Sequence, residues 1–347
     1  MKILMFTPYF YPHLGGVEIH VKKVSEELVR AGYEVSIMTI KHGITLKDFE
    51  ILNGIKIHRF SKIKLLQTWY WIYNHRDLII NADLIHCHDF NSFVFWYFPF
   101  RFMFLFKPVF VTFHGYEGII PIPKKILFLR KITEFLTNGN ICIGDYIRKW
   151  YGTKANFISY GGVDLLPIEK NTHFETALFI GRLEKDTGIM TYIDAIKILK
   201  KKYNINFKVG ICGDGSLRKT IDESIKTNEL KVKLFGFVEN PTDYLMKCKF
   251  AFVSGYLAIL EAMISKKLVF SVYDNELKKD ILNCIPDSRN TMIIASSPED
   301  LADKIVYFLN NPEKEKEIIN NGYNFAKNQT WKQVTAIYLK LWGYKVE

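Results

Sequence analysis

A pair of glycines, Gly15-Gly16, joins the apolar run Lys2 to Thr7 to a segment in which Val17, Val21, Val24 and Leu28 recur at helical spacing. A strand that passes through glycine into an amphipathic helix leaves backbone N–H groups uncovered at the helix N-terminus. Main chain can then press against an anionic or sugar ligand. Gly32 follows as a C-cap, and Glu34 to Ile40 reads as the next strand. Short apolar runs continue the order at Ala82 to His86, Pro108 to Phe113, Asn140 to Ile143 and Ala155 to Ser159. The pattern then restarts. Strands are predicted over Ala177 to Ile180, Phe207 to Cys212, Val232 to Phe235, Phe250 to Val253 and Leu268 to Val272, with helices over Thr191 to Lys201 and Ala258 to Ile264.

Repeated strand–helix order predicts an α/β chain with two parallel, doubly wound sheets. The predicted domains are residues 1–167 and 168–328, followed by a last helix over 329–347. The linker is predicted within Val163 to Thr176, around Pro167. Ligands of such sheets bind beyond the carboxyl ends of the strands, and most residues with useful chemistry fall there.

The chain has 347 residues, enough for two cores, and its 48% hydrophobic and 24% charged content suits a globular protein. The run from Met1 breaks at Pro8, too short for a secretory signal. Five scattered cysteines without C-x-x-C suit reduced thiols, so a cytoplasmic setting is expected rather than a disulfide framework. The net charge of +11 is denser in the first half. Basic surface attracts nucleic acid, anionic lipid or phosphorylated substrate, or is simply solvated.

Aromatic residues crowd Phe93 to Phe106, but Arg101, Lys107, Pro99 and Pro108 break the run below the ~20 apolar residues that a membrane span needs. A buried or membrane-facing helix is predicted instead. Ile119 to Leu136 then sets Lys124, Lys125, Arg130 and Lys131 beside Ile126, Leu127, Phe128, Leu129 and Ile132. A basic amphipathic helix beside an aromatic patch can rest on an anionic leaflet; an ordinary surface helix with a core face is the other reading.

His86, His88 and Asp89 close one predicted strand, and Thr112-Phe113-His114-Gly115 closes the next. Imidazoles at strand tips can bond hydroxyls or phosphate, ligate metal, or serve as packing residues. No H-x-x-x-H or D-x-D is present, so no metal is expected. Gly181-Arg182 places a planar guanidinium at a strand mouth, suited to a pyrophosphate, with Lys185 near enough to add charge. Gly213-Asp214-Gly215 reads as a tight left-handed turn. Glu261 sits among apolar neighbours on a predicted helix soon after Ser254-Gly255-Tyr256, where its carboxylate can take a ribose diol.

Together these motifs resemble the retaining glycosyltransferases of family 4, which have the GT-B fold of two Rossmann-like domains facing across a cleft. The segments that match are Gly15-Gly16-Val17-Glu18, His86-Cys87-His88-Asp89, Thr112-Phe113-His114-Gly115, Gly162-Val163-Asp164, Gly181-Arg182-Leu183, Gly213-Asp214-Gly215 and Glu261-Ala262-Met263. Trp331 opens the closing helix over 329–347, which the resemblance implies crosses back to the first domain. No single motif is specific; their order and spacing are. The resemblance implies that Gly15 and Gly16 bring amides to the donor diphosphate and sugar, and that His114 contacts the transferred sugar. It implies that Arg182 neutralises the leaving group and Glu261 holds the ribose. Gly213, Phe237, Val238, Ser254, Gly255, Tyr256 and Leu257 would complete the donor site, and His86, His88 and Asp89 the acceptor side. A nucleotide-sugar, a glycan or lipid-linked acceptor and an anionic membrane surface are the implied partners. No nucleic acid, metal or other cofactor is implied.

Three departures stand against the family pattern. Val253 occupies the place of the first Glu of the donor loop, and Thr187-Gly188 replaces the usual Lys-Gly. Gly161-Gly162-Val163-Asp164 replaces Asn-Gly-Val-Asp. A metal-independent, retaining glycosyltransferase at a membrane surface is the leading reading, and a non-catalytic nucleotide-sugar or polyanion binder the second. A nicotinamide-dependent dehydrogenase fits poorly, because the first loop lacks the third glycine and a downstream acidic partner.

Overall fold

The computed structural model describes residues 1–61, 64–115, 120–165 and 175–344; Ile119, Pro167 and most of the predicted linker lie outside them. Two compact units are present: Met1–Gly161 with Trp331–Glu347, and Gly162–Thr330. Where the sequence places boundaries at 167 and 328, the units divide at 161 and 330. The reason is a short bridge of Val163 to Thr330, with Val163 N–H donating to Gln329 O at 2.8 Å.

The first unit is an eight-stranded sheet. Its strands are β1 (Lys2–Phe6), β2 (Glu34–Lys41), β3 (Phe49–Leu52), β4 (Ile55–Ser61), β5 (Leu84–His88), β6 (Val109–Phe113), β7 (Gly139–Ile143) and β8 (Phe157–Ser159). They lie in the order β3-β4-β2-β1-β5-β6-β7-β8. Every pair is parallel except β3–β4. β5, β6 and β7 are buried end to end, as strands covered on both faces must be. β5 begins and ends two residues later than predicted because its ladder to β6 runs on to His88 opposite Thr112. The β3–β4 hairpin is not predicted above. It turns on Asn53 and Gly54, both at positive φ, the dipeptide a two-residue hairpin turn favours.

The second unit has six parallel strands, β9 (Glu175–Ile180), β10 (Val209–Cys212), β11 (Val232–Gly236), β12 (Cys248–Phe252), β13 (Leu268–Val272) and β14 (Ile293–Ala295). Their order is β11-β10-β9-β12-β13-β14. Tyr192, Phe207, Phe250, Phe252, Phe270 and Phe308 form an aromatic core on one face. In both units the first strand lies inside the sheet and the chain winds away on both sides of it. The switch points are β1/β5 and β9/β12, and a ligand crevice is expected outside their carboxyl ends.

The aromatic run folds as a π-helical turn, Phe93–Tyr97, and a short helix, Phe98–Met103. Phe93, Trp96, Tyr97 and Phe100 are buried, whereas Phe95, Phe102, Met103, Leu105 and Phe106 are exposed. Arg101 is used internally, donating to the carbonyls of Leu136, Leu105 and Lys107. On the helix Lys124–Leu136 the four basic residues do not share one environment. Arg130 on it is 1% exposed. Its guanidinium lies 4.0 Å from the Tyr151 ring centroid and donates to Gly115 O at 2.7 Å. Among the described residues no helix is long and apolar enough to cross a membrane.

Candidate functional site

At the end of β1 the chain reaches α1 (Gly16–Arg30), whose N-cap, Gly15, is in extended conformation with no side chain capping the helix. A Cβ on Gly16 would meet nothing within 4 Å, and one on Gly15 would meet only the carboxylate of Glu18. That carboxylate is itself held by His13 at 3.0 Å. Gly16 is demanded neither by handedness nor by its neighbours, whereas Gly15 leaves room for the Glu18 carboxylate. The space above Gly16 is what an approaching ligand requires.

Four histidines meet below this loop: His20 of α1, His86 and His88 of β5, and His114 after β6. The hydrogen bonds fix their states. Trp342 Nε1–H donates to His86 Nδ1 at 3.1 Å, so His86 carries its proton on Nε2 and bonds Thr112 Oγ1 at 2.8 Å. Thr112 donates to the Tyr338 hydroxyl at 2.9 Å, which leaves the Tyr338 proton for His20 Nε2 at 2.8 Å. Both ring nitrogens of His86 are occupied and the residue is buried. The acceptor-side role expected of His86 is therefore corrected: it is framework.

His88 is also buried; its Nδ1 is 3.0 Å from His114 Nε2, and its own Nε2 has no partner. A buried N–H without an acceptor is costlier than an unused lone pair, so the proton is assigned to Nδ1 of His88, which donates to His114. His114 is then neutral, with Nδ1–H left to donate. Burial depresses the pKa of His20, His86 and His88, and it brings His114, with the charge of Arg130 adding, to about 3. Asp89 accepts from His114 N–H at 3.1 Å and lies 3.7 Å from Arg130; burial raises its carboxyl against those two partners. Gly115 must be glycine, since its φ is +135° and a Cβ would strike the Tyr146 hydroxyl. Among the described residues no set of three or more His, Cys, Asp or Glu is disposed to hold a metal ion.

In the second unit, β9, β10 and β11 end on Gly181, Gly213 and Gly236. Gly181 N–H donates to Cys212 O at 3.2 Å and Gly213 N–H to Gly236 O at 2.7 Å. A Cβ on Gly213 would collide with Gly181 O. Close approach of two loops, rather than the predicted left-handed turn, is what requires this glycine. Leu183 N–H donates to Asp214 O at 2.9 Å, and Glu184 accepts from Ser216 N–H at 2.8 Å, so the two loops form one platform. Arg182 stands on it 70% exposed, paired with Asp186 at 2.7 Å. Lys185 is exposed on the turn Lys185–Thr187. Thr187 directs its hydroxyl to Arg182 O and Glu184 O, at 2.9 and 2.8 Å. Phe237 beside Gly236 is 64% exposed and Val238 half-buried.

Beyond β12, Val253 is buried and its carbonyl accepts from Ser271 at 2.6 Å. Ser254 Oγ lies 3.2 Å from the Tyr192 hydroxyl. Gly255 caps the helix Tyr256–Ile264, on which Leu257 and Glu261 are half-buried. The Tyr256 hydroxyl donates to Ile281 O at 3.0 Å, so that phenol is tied to the scaffold. Within this unit the structure gathers Arg182, Lys185 and Gly213 on one platform. Thr112 and Arg130 stand in segments read from sequence, but their buried polar roles do not show there, and Tyr338 and Trp342 are not singled out at all; a polar side chain on a helix's apolar face was the only signal for Tyr338.

The Glycosyltransferase Family 4 profile matches residues 14–164, and the Glycosyl transferases group 1 profile residues 167–325. An uncharacterised glycosyltransferase of Methanocaldococcus jannaschii is 26% identical over 354 residues, covering 96% of this chain and 95% of its own. A Campylobacter jejuni alpha-1,4-N-acetyl-D-galactosaminyltransferase, named for a glycan on PP-undecaprenol, is 26% identical over 67% of each chain. Among solved structures, HepE of Anabaena with UDP and glucose has a TM-score of 0.77 at 16% identity, over 98% of this chain and 99% of that one. Sucrose-phosphate synthase of Thermosynechococcus elongatus has 0.75 at 18%, over 99% and 98%. These likenesses identify the fold as GT-B.

Proposed function

The chain belongs to the GT-B glycosyltransferases of family-4 type, and from that premise we propose that it moves a sugar from a nucleoside diphosphate to a glycan or lipid-linked acceptor, with retention and without a metal. The observation that carries the reading is the glycine-ended platform of β9, β10 and β11, with an exposed Arg182 and Phe237 at its edge. A diphosphate fits the guanidinium and the loop amides, and a base fits the exposed ring. As the sugar–phosphate bond breaks, its electrons pass to the phosphate oxygen, where Arg182 and amide dipoles stabilise the growing charge. The acceptor hydroxyl attacks the anomeric carbon on the face being vacated, and its proton leaves with the diphosphate. His114, held neutral, donates to a sugar hydroxyl. The Campylobacter and Anabaena relatives, by their names, act on a diphospho-lipid glycan and bind UDP and glucose; both support this choice of partners.

Incubation with nucleotide-sugars and an acceptor panel should release nucleoside diphosphate. His114→Ala and Arg182→Ala should each lower kcat by about a hundredfold or more. Arg182→Ala should leave the melting temperature unchanged, and His114→Ala, which takes the acceptor from buried His88 Nδ1–H, should lower it modestly without unfolding the chain. Parental rates in both variants would sink the reading. A second reading, a non-catalytic binder, is favoured by Val253 and by the inward-turned Thr187. Calorimetry that finds donor binding without transfer selects it.

Membrane contact is part of the proposal, at a cytoplasmic face. Phe95 and Phe102 are exposed on one pair of short helices, Phe106 on the turn that follows, and Phe128 and Phe135 on the helix Lys124–Leu136, which also exposes Lys124 and Lys125. Liposome flotation should require anionic lipid and weaken with salt; indifference to both would remove this part.

A further inference from the structure

One cation of the second unit is buried without a hydrogen-bond partner among the described residues. Lys278, in the first turn of the helix Glu276–Asn283, is 8% exposed, and its Nζ has no hydrogen-bond partner among the described residues. Only its backbone is engaged, donating to Oδ1 of the N-cap Asn275 at 2.9 Å. A fold does not gain by burying an unpaired ammonium; replacing such a group with an apolar one usually stabilises. Its retention calls for an anion that arrives later.

The position says which anion. Gly188 packs on the end of β13, where a Cβ would stand 2.5 Å from Val272 Cγ2. The residues that follow Val272 lead through Asn275 into the helix that carries Lys278. The Gly181–Gly188 loop and Lys278 therefore share one corner of the second unit, at the carboxyl ends of β9 and β13. Burial lowers the pKa of Lys278, Asp274 and Asp186 oppose that shift, and Arg182 adds to it, so the Arg182 pair is within its electrostatic reach. This same loop has Thr187 where the family pattern has lysine, and the Thr187 hydroxyl faces its own carbonyls. Lys185, the other candidate, is exposed and its charge is screened by water.

We propose that Lys278 Nζ is the second cation of the donor diphosphate site, supplying from the helix Glu276–Asn283 the charge that Thr187 does not. The assignment rests on the donor reading given above. With the diphosphate seated, Nζ gains charge-assisted hydrogen bonds and Arg182 is drawn from Asp186 to the phosphate.

The test titrates UDP, GDP and ADP, and the matching nucleosides, into the full chain and into Lys278→Met. The variant should bind the preferred diphosphate about ten- to a hundredfold more weakly and its nucleoside equally well. Its melting temperature without ligand should equal or exceed the parent's. Lys278→Gln, which is one atom shorter, keeps a polar tip and loses the charge, should weaken the diphosphate in the same way and guards against a misfolded Met variant. Unchanged diphosphate affinity in the variants overturns the proposal and leaves the donor reading standing. Parallel loss of diphosphate and nucleoside, with a lower melting temperature, also overturns it, as a structural role. A parent that binds none of the three diphosphates ends the donor reading and this one with it.

Discussion

The indole N–H of Trp342 has no choice but to donate, and that fixes His86, then Thr112, then Tyr338, then His20, each in one protonation state. Such a chain has no place for an extra proton, and a pH dependence follows. The imidazoles of His20, His86, His88 and His114 are held below their ordinary value, chiefly by burial, with His114 at about 3. In the unfolded chain they titrate near 6.5. Above that pH neither state binds these protons and stability is indifferent to them. Below it the unfolded chain takes up protons that the folded one refuses, so stability falls as pH drops. The slope is about 1.4 kcal/mol per pH unit for each histidine fully titrated in the unfolded state. Asp89, raised by burial, acts in the opposite sense, but it is one group against four. Urea midpoints should hold steady from pH 8 to 7 and decline clearly by pH 5. A flat profile would mean that the histidines take up protons when folded. The strand-tip position of His114 was legible in sequence because a glycine follows it. The inward turn of Arg130 and Lys278 was not, because a lysine or arginine on a helix looks alike from either side until the packing is known.

Glycines separate two kinds of demand at the level of loops and strands. Gly213 is required by the fold, because Gly181 O occupies the place of its Cβ; Gly16 faces open space and is not. Gly213→Ala should therefore destabilise the second unit by about 1–3 kcal/mol, the usual range for overpacking. Gly16→Ala should leave the fold as stable or up to about 1 kcal/mol more so, while weakening turnover, because the methyl group enters the ligand's space. Thermal melts and nucleoside diphosphate release on the two variants check both halves. Full activity in Gly16→Ala would make its loop an ordinary connection. Elements were legible to the degree that burial was uniform. β5, β6 and β7 are buried throughout and were readable as short, mostly apolar runs, whereas β3 exposes Phe49 and Ile51 and hides only in part. The hairpin it forms did carry a signal, Asn53-Gly54 between the alternating runs Phe49-Glu50-Ile51 and Ile55-Lys56-Ile57-His58. β14, three residues long, carried too little pattern to find.

At the scale of the molecule, the chain's last helix belongs to its first unit. Trp331, Val334, Tyr338 and Leu339 are buried, and Trp331–Leu341 packs against α1, β7 and β8 after the whole second unit has intervened. The repeated strand–helix order made two sheets legible, since each restarts from a short apolar strand. That Trp342 and Tyr338 complete the polar interior of a sheet more than two hundred residues earlier was not, because nothing local marks the partner of a distant side chain. A deletion of residues 331–347 tests this arrangement. It strips Nδ1 of His86 of its donor, Thr112 of its acceptor and His20 Nε2 of its donor, and uncovers an apolar face on α1. Each orphaned buried group costs about 1–3 kcal/mol, against a total stability of about 5–15 kcal/mol for an ordinary domain. The first unit should therefore lose its cooperative transition at ambient temperature, while the second keeps its own. Scanning calorimetry of the deletion variant should show one transition, still raised by a nucleoside diphosphate that binds the second unit. Two intact transitions would mean that the first sheet holds its histidines without the closing helix.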